Sequence, residues 1–162
     1  MSDGLENLEQ SAIDDARLCQ MLENIPLLQG FERAEIEKLA QYCRAYKATS
    51  GAVIFKEGEK SHFMCLLVAG RVNILKENKQ VATIRAGKSM GEMSLIDGFP
   101  YSATAISAVD SELIMFTRLQ FERLGETNPL VALKLYKAIA RLMSLRLRQT
   151  TGVLIDYLQD PA

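Results

Sequence analysis

Between residues 44 and 117 the apolar positions change from helical to alternating spacing, and turn residues interrupt the alternation every few positions. Tyr46-Lys47-Ala48, Val53-Ile54-Phe55, Phe63 to Val68, Arg71 to Leu75, Val81 to Ile84, Thr104 to Ala108 and Leu113 to Phe116 read as short strands. Ser50-Gly51, Glu57-Gly58-Glu59, Ala69-Gly70, Asn78, Ala86-Gly87 and Asp110-Ser111 supply the corners between them. Many short strands with glycine corners predict a sandwich, barrel or roll.

Helical spacing flanks this block. The first dozen residues read as frayed chain. Ala16, Leu18, Met21, Leu22 and Ile25 then recur at helical spacing behind Asp14 and Asp15, and Pro26 stops that helix. A second helix is expected over about 32–42, with Ile36, Leu39 and Ala40 on one face. A short helix over 118–126 ends at Asn128-Pro129, and the last and longest runs to about Leu158. Gly152 costs that helix about 1 kcal/mol relative to alanine and is the expected fraying point.

At 162 residues, with 48% apolar and 24% charged residues, the chain is long enough for one domain with a real core. A net charge of −1 gives no global field toward nucleic acid or an anionic membrane, and no apolar run is long enough to span a bilayer. The acidic start MSDGLENLEQ is unlike a signal peptide. Cys19, Cys43 and Cys65 are spaced for neither a disulfide framework nor a zinc site and read as buried thiols. A single histidine, His62, supports no metal box and no Ser-His-Asp set, so a non-catalytic cytoplasmic protein is expected.

Residues 91–104, GEMSLIDGFPYSAT, are the densest functional signal. A glycine and a carboxylate open a short helical turn, and a Gly-Phe-Pro corner leads into small residues. Amides at such a turn can hold a phosphate, and Glu92 can accept hydrogen bonds from sugar hydroxyls. A helix-dipole role for Glu92 is the plainer alternative. The stretch resembles the phosphate-binding cassette of the cyclic nucleotide-binding domain family, and the order of helices, strands, cassette and long helix resembles that family from about Leu18 to Thr151.

The resemblance implies an α+β fold: an antiparallel double-stranded β-helix (a β-roll or jelly roll) over 44–117, flanked by N-terminal helices over 14–43 and C-terminal helices over 118–158, all one domain over 1–162. It implies that Glu92 binds the ribose, that Gly91, Met93, Ser94, Ser102 and Ala103 offer backbone or hydroxyl groups, and that cyclic AMP or cyclic GMP is the ligand class. Tyr101 stands where the family places an arginine on the cyclic phosphate. A phenol donates one neutral hydrogen bond where a guanidinium donates a charged pair. Losing one partner of a buried charge pair costs about 2–5 kcal/mol, so weakened or atypical binding is expected. Tyr101 then reads as a plug or a stacking platform; Lys88 or Arg85 could reach as a substitute cation, although a lysine close to a turn is more often simply solvated. The second reading is a degenerate, ligand-free dimerisation or scaffold module.

Leu133, Tyr136, Ala140, Met143, Leu147, Thr150, Leu154 and Tyr157 follow a 3-4 spacing on the last helix, the pattern of a coiled-coil seam, and predict a homodimer. Leu135, Ile139 and Leu142 form a second stripe for the chain's own domain. In dimeric cyclic AMP-dependent transcription regulators, which the chain resembles, polar residues midway along this helix touch the base; Thr150 and Thr151 fall near that place. Those regulators continue into a DNA-binding domain, whereas this chain stops at Ala162, so no direct DNA binding is expected and an effector protein is the implied partner. Arg141, Arg146 and Arg148 read as a solvated face or as cross-dimer pairs.

Overall fold

A computed structural model describes residues 5–159. The chain runs β1 (Glu9–Gln10), α1 (Asp15–Glu23), a 3-10 turn (Pro26–Leu28), α2 (Arg33–Ala40), β2 (Arg44–Ala48), β3 (Val53–Phe55), β4 (Phe63–Ala69), β5 (Arg71–Lys76), β6 (Lys79–Arg85), β7 (Ser89–Met90), α3 (Glu92–Asp97), β8 (Thr104–Ser107), β9 (Ser111–Thr117), α4 (Arg118–Thr127) and α5 (Pro129–Gln159). The strands form two antiparallel sheets, ordered β1-β2-β9-β4-β7 and β3-β8-β5-β6, which close over each other as a β-roll.

Local chemistry sets the helix ends. Asp14 caps α1 by accepting from the Arg17 amide at 2.7 Å. Thr117 caps α4, its hydroxyl accepting from the Gln120 amide at 3.2 Å while its own amide donates to the Gln120 side chain at 3.1 Å. Two expectations fail. The start of the chain is not frayed throughout: β1 pairs with β2, Glu9 opposite Lys47 and Gln10 opposite Tyr46, and Leu5 and Leu8 pack on the core. Nor does the last helix fray at Gly152; α5 continues through it to Gln159.

The first sheet is apolar on both faces, because a core lies on each side of it. Phe63, Cys65 and Leu67 of β4 and Leu113 and Met115 of β9 point into the roll, with Ile54, Phe55, Val72 and Met90. Their alternates Met64, Leu66, Ile114 and Phe116 face a second core made with α1, α2, α4 and α5. Pleat alternation therefore produces near-continuous apolar runs here, as in any strand covered on both faces. Leu135 and Ile139 seat α5 on that second core, and Lys134 ties it to α2 through Glu35 at 2.6 Å. The three cysteines are free and buried.

Candidate functional site

β7 delivers the chain to Gly91, which takes φ +79°; a Cβ there would sit 3.1 Å from the Phe63 carbonyl oxygen and 3.4 Å from the Tyr101 ring. Glycine is thus required by backbone conformation and by β4. The turn that follows, α3, carries Glu92 at 3% exposure. A carboxylate so buried needs a cation, and it has one. Arg146 of α5 pairs with Glu92 Oε1 and donates a second hydrogen bond to the Ser89 carbonyl at 2.9 Å. Burial pulls the Arg146 pKa below its ordinary value. Glu92 Oε2 and Ser89 Oγ are buried without a partner among the described residues. Unpaired buried oxygens of this kind are uncommon and mark either stored strain or a place for a ligand.

Tyr101 is 4% exposed and belongs to the core inside the roll. Its ring stacks on Phe55 at 4.1 Å between centroids and tilts against Phe63 at 5.9 Å. Its hydroxyl donates to the Phe63 carbonyl at 2.8 Å and accepts from the His62 and Phe63 amides at 3.3 and 3.2 Å. Burial pushes its pKa up to about 12. Every polar valence of the phenol is spent on the backbone of His62 and Phe63, and none is left for a ligand.

A cleft of about 320 Å³ opens between α3, the segment 101–103, strands β5 and β6, and α5. Of the residues singled out in the sequence, Gly91, Glu92, Met93, Ser94, Tyr101, Ser102, Ala103 and Thr150 line it. Thr151 does not; its hydroxyl donates to the Leu147 carbonyl at 2.8 Å, the preceding turn of its own helix. Phe55, Ile74, Ile84, Ser89, Met90 and Arg146 are also in the wall. Arg146 is the residue sequence reasoning misplaced: it is folded onto Glu92 rather than solvated. Its signal was the spacing of four to Thr150, which sets both on one helix face. Lys88 lines a neighbouring cleft instead, and Arg85 is an exposed residue of β6 paired opposite Arg71.

The cassette thus sits between two rolled sheets and a helix. The model of the cyclic nucleotide-binding domain family matches residues 46–128, just over half of the chain. The chain belongs to that family. A solved cyclic nucleotide-binding domain from Methylobacillus flagellatus superposes with a TM-score of 0.84 at 22% identity, covering 96% of this chain and 95% of that one. A cyclic nucleotide-gated potassium channel from Rhizobium etli is 32% identical over 119 residues, which are 74% of this chain and 33% of the channel. The cyclic AMP receptor protein of Thermus thermophilus is 29% identical over 125 residues, 74% of this chain and 58% of that protein. The chain spans about a third of the length of the channel relatives it matches.

In this cyclic nucleotide-binding domain, α5 shows different surroundings along the expected seam. Tyr136 packs edge-on to Phe121 of α4 at 4.6 Å, and Met143 is half-buried against the domain's own core. Ala140, Leu147, Thr150 and Leu154 are exposed, as is every described residue from Leu147 onward. Among the described residues no helix is long and apolar enough to cross a membrane, and no cluster of His, Cys, Asp and Glu is set to hold a metal.

Proposed function

We propose that this chain is a non-catalytic regulatory domain that takes a cyclic nucleotide or a related phosphate ligand in the cleft between α3 and α5, weakly or atypically because Tyr101 replaces the phosphate's arginine. The observation that carries the reading is Glu92: a buried carboxylate in the family's ribose position, one oxygen held by Arg146 and the other unpartnered. Gly91, Met93, Ser94, Ser102, Ala103 and Thr150 would surround the ligand, with cyclic AMP or cyclic GMP the first candidates. A ligand hydroxyl that engages Glu92 acts on Arg146 and therefore on α5, whose exposed stripe carries a homodimer and whose movement an effector protein reads. The site of action is the cytoplasm, where the three buried thiols stay reduced.

A second reading, a ligand-free dimerisation or scaffold module, is favoured by the Tyr101 ring, which is locked into the core and offers the cleft no charge. Calorimetry separates the two. Tyr101→Arg should strengthen cyclic AMP or cyclic GMP binding by tenfold or more, since about 1.4 kcal/mol suffices and a charged bidentate contact usually exceeds it. Adding Glu92→Ala should remove most of that gain. A Tyr101→Arg variant that melts cooperatively yet binds neither nucleotide at millimolar ligand would replace the sensor reading with the scaffold reading.

A further inference from the structure

Arg146 and Ser89 line a second cleft, of about 370 Å³, formed by the Pro26–Leu28 turn, the corner between β6 and β7, and α5. Lys88 from that corner and Arg141 from α5 join Arg146 there, and no carboxylate lines the cleft. Among the described residues neither Lys88 nor Arg141 forms a salt bridge. The remaining wall is largely apolar, with Pro26, Leu142 and Leu145. A concavity lined by one sign of charge concentrates counter-ions, and its low-dielectric walls strengthen the effect. The hydroxyl of Ser89, at 2% exposure, has no partner among the described residues and lies where the two clefts adjoin.

We propose that this cleft is a second anion site, which takes a phosphate or carboxylate borne on a small apolar group. Lys88 and Arg141 hold the anionic end, and the apolar body lies on Pro26, Leu142 and Leu145. Arg146 links the two clefts. Its guanidinium is engaged by Glu92 on the cassette side, so an anion in the second cleft competes for the same group, and occupancy of one cleft changes affinity at the other. The site stands whether or not the cassette cleft takes a nucleotide.

Titration of the wild-type chain with phenyl phosphate and with inorganic phosphate, followed by amide NMR, tests this. Saturable binding of phenyl phosphate is expected, tighter than that of inorganic phosphate, with shifts centred on Gly87, Lys88, Ala138 and Leu142. Lys88→Ala with Arg141→Ala should weaken it by about tenfold or more, because two charged contacts are lost, and should leave the melting temperature unchanged. Glu92→Gln, which releases Arg146, should strengthen it severalfold. Shifts centred on Met93, Ser94, Ser102 and Ala103 would overturn the site, as would affinity indifferent to the double variant or no saturation at millimolar ligand. Equal affinity for the two phosphates would overturn the apolar half of the proposal, and an unchanged affinity in Glu92→Gln would overturn the link through Arg146.

Discussion

At the scale of single residues, Tyr101 is a structural group of the core that also borders the cleft beside α3. Its hydroxyl joins the segment after α3 to the first residue of β4, while its ring fills the roll beside Phe55. Tyr101→Phe keeps the ring and removes the hydroxyl, leaving the Phe63 carbonyl without that donor. A buried acceptor so stranded costs about 1–2 kcal/mol, to be read from the urea midpoint at unchanged slope. The phenol also sets a pH window. Its folded pKa is raised to about 12 from an ordinary value of 10.0, so the folded state holds the proton more tightly than the unfolded chain does. That stabilisation is fully present below pH 10 and is lost as pH rises toward 12. The stability gap between wild type and Tyr101→Phe should therefore narrow across that window; a constant gap would show that the phenol is not buried.

At the scale of elements, the long helix is anchored to the cassette by charge and to the core by Leu135 and Ile139. Arg118, the first residue of α4, adds a second tie: its guanidinium donates to the Ser94 carbonyl at 2.5 Å and to the Ser61 hydroxyl at 3.0 Å. A cation on the last carbonyls of a short helix is a favourable arrangement. The α3 turn is thus gripped from both C-terminal helices. Arg146→Ala leaves Glu92 buried and unpaired and should destabilise the fold by about 1–3 kcal/mol, the lower end reflecting the solvent access Arg146 retains. Glu92→Gln in the same chain should recover most of that loss, since a neutral amide needs no counter-charge. Additive losses in the chemical denaturation cycle would mean the pair is not coupled.

At the scale of the whole molecule, α5 has 31 residues, about 46 Å at helical rise. Only its first half has a core to rest on. Leu147, Val153, Leu154, Tyr157 and Leu158 are all more than half exposed. An apolar stripe of this length is costly in water, and the proposed homodimer would cover it with a second copy of the chain. In the proposed dimer, Leu147→Glu would place a charge against the partner helix. Sedimentation should then show a monomer, and the melting transition should stay cooperative because neither core includes Leu147. A wild-type chain that sediments as a monomer at high micromolar concentration would end the dimer proposal.

Sequence alone determined the parts whose causes are local. Glycine corners, the short apolar runs of β4 and β9, and the apolar spacing of α1, α2 and α5 are short-range patterns, and these elements appear close to their expected bounds. The two-residue strands β1 and β7 escaped because two residues carry no periodicity. The stretch 91–104 stood out for the same local reason, its glycine, glutamate and small residues lying close together, and most of the residues singled out there line one cleft. What only the tertiary structure decided were the partners. Glu92 and Arg146 are 54 positions apart, and beyond the spacing of four to Thr150 nothing in α5 separates Arg146 from Arg141 and Arg148 until the helix is laid across the roll. Tyr101 could point to the cleft or to the core, and His62 and the start of β4 settled it by offering two amides and a carbonyl at hydrogen-bonding distance beside an aromatic wall. Local chemistry chooses the conformation of a segment; which group meets a buried charge or a buried hydroxyl depends on long-range packing, and packing is where this site was made.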